Sequence, residues 1–337
     1  LEDVNKYIEN NHLVLPKSHS DKVKILSGVE ELNQLIGLES VKKQIKKITS
    51  FAKMNKGASL NLHMAFVGAP GTGKTEVAKI ISRVLYEAGV IKEAKTIVAK
   101  GSELIGQYKG QAGLKTRDLC KQAIGGVLFI DEAYELAIDH GTEGSFGDQA
   151  ITALIDEMES NVGKLCVILA GYEYEIDKLI AANAGFSSRI RKIYFPNYSR
   201  EELQKIAMMF LNNYDNPYTI EDDAMNELLD ICEFFEHVDR GYANGRTVRE
   251  MLQDVVMNQN VRANGDTKNR TITLDDIKAY ADDKGLVKKS EEKVSPVVKT
   301  YTVTFNGNSN TGGSMDNLSV TYGKGTTLPA NGFTRTG

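Results

Sequence analysis

Residues 63–75 read His-Met-Ala-Phe-Val, then Gly68-Ala-Pro-Gly-Thr-Gly-Lys74-Thr75. A glycine, four residues and Gly-Lys-Thr, set between an apolar strand and an amphipathic helix, constrain this chain more than any other feature. The helix is expected over 73–88, with Val77, Ile80, Ile81, Val84 and Leu85 on its apolar side. Glycines in such a loop let backbone N–H groups converge on phosphate oxygens without Cβ clashes. The following helix N-terminus adds the positive end of its dipole. Lys74 brings a mobile point charge to β- and γ-phosphates, and the Thr75 hydroxyl is placed to ligate Mg²⁺. Pro70, Gly71, Thr72, Gly73 and Glu76 complete the expected contacts to a nucleotide.

A second apolar strand, Val127-Leu-Phe-Ile130, delivers Asp131 and Glu132 at its C-terminal edge, where ligands bind in open α/β sheets. Asp131 is expected to hold Mg²⁺ and Glu132 to polarise an attacking water. A water-activating acid beside the Mg²⁺ acid favours hydrolysis over phosphoryl transfer to a metabolite.

Further strands are expected at 63–67, 95–99, 165–169 and 192–195, with helical stretches between them. Buried strands alternating with helices indicate an α/β fold with a doubly wound parallel sheet. After Pro196 strands are expected to stop. Helices are expected at 201–212, 224–235, 246–261 and 274–283, with Ser199 and Thr273 as caps before acidic first turns. The predicted organisation is a polar helical leader (1–28), a nucleotide-binding α/β domain (29–196), a small helical lid (197–285), a charged linker (286–299) and a β tail (300–337).

With these parts in place, the chain resembles the AAA+ ATPases. It is closest in motif to the group containing red-type Rubisco activase, stage V sporulation protein K and the cytosolic ATPase of type VII secretion. The motifs are LIGLESVKKQI (35–45), ELIGQYKGQ (103–111), GGVLFIDEAYEL (125–136), VILAGYEYEID (167–177), GFSSRI (185–190) and NGRTVRE (244–250). The resemblance covers roughly 29–284. It implies that Ile36 and Gly37 pack near adenine. It implies that Arg189 is an arginine finger reaching a neighbouring subunit's γ-phosphate, with Arg191 as alternative or helper. Arg246 on the lid would sense the γ-phosphate, with Arg249 one turn later. Where the wider family ends its fourth strand in a polar Asn or Thr, this chain has Ala170-Gly171-Tyr172, so the Tyr172 hydroxyl would stand at the nucleotide. Tyr108, Lys109 and Gly110 match a pore loop whose aromatic grips substrate, and the Gly-rich loop 139–147 would also face the pore. The implied assembly is a homo-hexamer, driven by ATP and Mg²⁺, acting on a protein or peptide in its central pore. The tail from Tyr301 resembles part of a Listeria–Bacteroides-type repeat, a small β-grasp-like module.

Composition bears on the rivals. Of the 337 residues, 41 are Lys or Arg and 45 are Asp or Glu, a net charge of −4. This balance lacks the clustered basic domain of a nucleic-acid motor or loader. The other rival is an ATP-gated assembly scaffold with slow turnover. Cys120, Cys166 and Cys232 lack CxxC spacing and read as small buried hydrophobes of a reducing cytosol. The acidic opening has no signal-peptide plan, and no apolar run is long enough to span a bilayer, so a cytoplasmic setting is expected. Leu1 in place of Met and the incomplete repeat suggest that both ends are cuts.

Overall fold

The computed structural model describes residues 26–55, 61–105, 111–137, 146–238, 241–286, 300–306, 312–321 and 326–334. Two helices lead in: α1 (Gly28–Gln34), capped by Ser27 in a capping box with Glu30, and α2 (Glu39–Met54). There follow β1 (Met64–Gly68), α3 (Lys74–Glu87), β2 (Thr96–Lys100), α4 (Gly101–Leu104), α5 (Gln111–Ala123) and β3 (Val127–Asp131). A 3₁₀ turn (Ala133–Ala137) leads to α6 (Phe146–Ser160), β4 (Cys166–Gly171), α7 (Glu173–Ala181), α8 (Ala184–Ser187) and β5 (Arg191–Phe195).

The five strands form one parallel sheet in the order β2-β3-β4-β1-β5. Successive side chains on a strand point to opposite faces, and both faces are covered. Met64, Phe66, Phe129, Ile168 and Phe195 pack beneath α2 and α3, with the Phe66 and Phe195 ring centroids 4.9 Å apart. Ala65, Val67, Leu128, Ile130, Val167 and Leu169 pack against α5, α6 and α7. Two-sided burial is why these strands read as continuous apolar runs rather than alternating ones. Each of the larger side chains, from Val to Phe, contributes about 1.5–3 kcal/mol through burial.

Beyond Pro196 come α9 (Arg200–Asn212), β6 (Thr219–Ile220), α10 (Asp222–Val238), α11 (Asn244–Arg262), β7 (Thr271–Ile272) and α12 (Leu274–Asp283). Ser199 caps α9 as expected: its hydroxyl accepts the Glu202 N–H at 3.3 Å, and its own N–H donates to the Glu202 carboxylate at 2.8 Å. Thr273 caps α12. The expectation that strands stop at Pro196 needs correction. β6 and β7 pair in parallel, Thr219 opposite Thr271 and Ile220 opposite Ile272. Two residues are too few to show a period, and their partners lie some fifty positions apart.

The three cysteines are buried and unpaired by disulfides, as the sequence suggests. Burial pushes each thiol up to about 12. Among the described residues no helix is long and apolar enough to cross a membrane. The described residues up to Lys284 make one compact unit and those from Gly285 a second. Among its described residues the second unit has two antiparallel pairs. β8 (Thr300–Val303) pairs with β10 (Leu318–Thr321), and β9 (Gly312–Gly313) with β11 (Phe333–Thr334).

Candidate functional site

The C-terminal ends of β1, β3 and β4 open into a cavity of about 730 Å³. Its floor is the loop 68–75. Gly71 (φ +70) and Gly73 (φ +91) take left-handed conformations that favour glycine. At Gly71 a Cβ would also lie 1.8 Å from the Ala243 carbonyl oxygen, so the loop is pressed directly onto the start of α11. The Thr72 hydroxyl turns inward and donates to Ala69 O at 2.8 Å, bracing the loop, and Thr72 is fully buried. Gly73 is the N-cap of α3, so the helix begins at Lys74 rather than one residue earlier. Lys74 Nζ donates to Gly68 O at 2.9 Å and Ala69 O at 2.7 Å. Burial draws its pKa down to about 8, with Asp131 opposing that shift and Arg246 adding to it.

Asp131 and Glu132 stand at the end of β3 and both line the cavity. The Glu132 N–H donates to Asp131 Oδ1 at 3.0 Å. Glu132 sits at φ +51, a strained conformation for a residue with a Cβ, and such strain collects at functional positions. Its carboxylate lies 3.4 Å from Lys100 Nζ at the end of the neighbouring strand β2. Tyr172, the N-cap of α7, also lines the cavity, with its ring centroid 6.0 Å from that of Tyr134.

The opposite end is apolar. Leu35, Ile36 and Leu38 come from the turn between α1 and α2, and Ile206, Met209 and Phe210 from α9. Arg246 and Arg249 enter from α11. Gly37 is not among the lining residues. It turns left-handed (φ +61) with its α-carbon toward the Glu202 carboxylate, where a Cβ would clash at 2.1 Å.

Arg189 lies elsewhere. It lines a separate cavity of about 380 Å³ with Phe51, His63 and Arg191. Its guanidinium donates to Gly185 O and to Ser188 Oγ, each at 2.9 Å, and pairs with Glu159. Tyr108, Lys109 and Gly110 lie outside the described residues, as does the loop 139–147 up to residue 145.

The donor set fits a nucleoside triphosphate with Mg²⁺. A glycine cradle and an ammonium suit phosphates, the Thr75 hydroxyl and Asp131 carboxylate are hard oxygen donors suited to Mg²⁺, and the far end is apolar enough for a base. Sequence reasoning missed Lys100, Tyr134, Tyr198, Ile206, Met209 and Phe210. The last three lie on a helix whose period was visible, but period alone does not say which apolar face closes a cavity.

The model of the ATPase family associated with various cellular activities (AAA) matches residues 64–197, and an AAA lid domain model matches 199–286. Stage V sporulation protein K of Bacillus subtilis (strain 168) is 36% identical over 250 residues, spanning 71% of this chain and 76% of that protein. The chain is an AAA ATPase. A protein CfxQ homolog of Galdieria sulphuraria is 35% identical to this ATPase over 280 residues, 80% of this chain and 90% of that protein. The ESX-1 secretion system protein EccA1 of Mycobacterium tuberculosis is 36% identical over 70% of this chain, which spans 44% of EccA1. The FIGL-1 AAA domain, solved in complex with ADP, matches the ATPase fold with a TM-score of 0.55 at 18% identity, over 77% of this chain and 85% of that one.

Proposed function

We propose that this ATPase works as a ring, a homo-hexamer in which hydrolysis at shared sites remodels protein substrates through a central pore. The observation that carries the reading is the separation of Arg189 from the cavity of its own chain. A finger placed there serves a neighbour's site and makes hydrolysis depend on assembly.

Within the site, Lys74 and the backbone N–H groups of 71–75 hold the phosphates. Thr75 and Asp131 would hold Mg²⁺, which when bound neutralises phosphate charge. Glu132 orients the attacking water and takes its proton. Arg246 reaches the γ-phosphate from the lid, and Tyr172 orients the water's surroundings. Ile36 packs with Met209 and Phe210 on the base, and Gly37 lets the turn approach α9. Tyr108 grips substrate. We assign 29–196 to the ATPase domain proper and 197–285 to its lid.

Two variants test the shared site together, because Arg189→Ala keeps its own Glu132 and Glu132→Gln keeps its own Arg189. The rate per subunit should rise with concentration for the wild type. Each variant alone should fall by 10²-fold or more, on the order of the loss of a transition-state donor, and mixing should restore part of the rate. A rate flat with concentration and indifferent to Arg189 would sink the ring.

The Lys100–Glu132 ion pair favours a second reading, a scaffold that assembles on ATP and turns over slowly. Tyr108→Ala separates the two: it ruins a threader's substrate-stimulated turnover and leaves a scaffold's assembly intact.

A further inference from the structure

Asn244 opens α11 and is fully buried, with 0% exposure. Its backbone stands at φ +47, a left-handed conformation that asparagine tolerates better than other residues with a Cβ. Its amide is bonded on both ends. Oδ1 accepts the Tyr198 N–H at 3.0 Å. Nδ2 donates to Pro70 O at 3.2 Å and to Asn197 Oδ1 at 3.1 Å. One side chain thus joins the phosphate-binding loop, 174 positions away in sequence, to the crossing at 197–198 that leads into the lid. Around it the same three segments are fastened again. Gly245 N–H donates to Gly71 O at 3.2 Å, and the Tyr198 hydroxyl donates to Thr72 O at 3.2 Å. Arg246, which lines the nucleotide cavity, is two residues further on.

We infer that Asn244 is a positioning residue. Its amide clamps the first turn of α11 to the Pro70 carbonyl and to the 197–198 crossing, and so holds Arg246 over the phosphate site. This rests on the reading of Arg246 as a phosphate ligand. The physical ground is that both ends of the amide are sealed from water. A rotation of α11 away from the loop leaves a buried donor and acceptors unpaired, so intermediate lid angles are disfavoured. The left-handed backbone selects asparagine here. Glycine would keep the turn but lose the clamp, and a larger amide would not fit the same three partners.

A double-mutant cycle tests it. Asn244→Gly keeps the positive φ and deletes the amide. Asn244→Asp keeps the shape and the acceptor for Tyr198 N–H, and sets an acceptor against two oxygens. Affinity for a fluorescent ATP analogue, turnover and thermal midpoint are measured for each, alone and with Arg246→Ala, on folded protein. The expected result is affinity weakened about tenfold by Asn244→Gly and further by Asn244→Asp, with the loss vanishing in the Arg246→Ala background. Losses that add to that of Arg246→Ala, or a fall in midpoint with unchanged affinity, overturn the inference and make Asn244 a fold residue only. If Asn244→Gly does not fold, Asn197→Ala removes one partner from the exposed side. A loss of about threefold, again absent without Arg246, is then expected, and additivity again overturns the clamp. If Arg246→Ala alone leaves affinity and turnover unchanged, the phosphate-site reading fails first and the clamp fails with it.

Discussion

Lys74 shows how a single residue of the site is poised. Its ammonium leans on two carbonyls of its own loop and is partly desolvated, which is why its pKa falls to about 8. Phosphate oxygens brought to the same ammonium favour its charged form. The sign follows: the site must take up a proton to bind above pH 8, so affinity is flat below that pH and falls as pH rises through it. The fall should approach tenfold per unit. Titration calorimetry at pH 8.5 in two buffers of different ionisation enthalpy should register proton uptake on ATP binding. Equal heats in the two buffers, with a flat affinity from pH 7 to 9.5, would remove Lys74 from the phosphate contacts. Lys74, Thr75, Asp131 and Glu132, singled out from the sequence by their local order, all line the one cavity. Gly37 was expected beside adenine with Ile36, but it is not among the residues that line the cavity. That it faces Glu202 rather than the cavity depends on where α9 lands.

The elements carry a second titration. His63 enters β1 and is 2% exposed, and its Nδ1 accepts the Val167 N–H of β4 at 3.0 Å. Burial pushes its pKa down to about 4, with a hydrogen bond to Met158 opposing and the Arg189 charge adding to the shift. A ring that must be neutral in the fold and charges freely in the unfolded chain stabilises above pH 6.5. That stabilisation drains away as pH falls toward 4. The full window is worth about 3 kcal/mol. Denaturant midpoints at pH 7 and 4.5 should therefore differ less for His63→Gln than for the wild type, and identical pH profiles would show that His63 does not titrate with unfolding. Strand and helix order was readable from apolar runs and caps, because two-sided burial and capping are local patterns. β6 and β7 were not, because a two-residue strand exists only through its partner.

At the scale of the whole molecule, every residue described at the cavity lies at or before Glu250. The unit from Gly285 onward contains its own strand pairs. Short two-stranded pairs of this kind add little independent stability. A chain ending at residue 286 should bind ATP with unchanged affinity and unfold at an unchanged midpoint. A tenfold loss of affinity or a midpoint lowered by several degrees would assign the tail a part in the ATPase unit. By itself the sequence determined the phosphate chemistry, the parallel α/β architecture and the helical lid. Each of these is encoded in short-range order: a loop of eight residues, apolar runs of five and caps of four. Tertiary structure alone decided that Arg189 stands apart from its own cavity, that α9 closes the apolar end, and that Asn244 seals the loop to the lid. Those are contacts between segments tens to hundreds of positions apart, and one-dimensional spacing does not encode which surfaces meet.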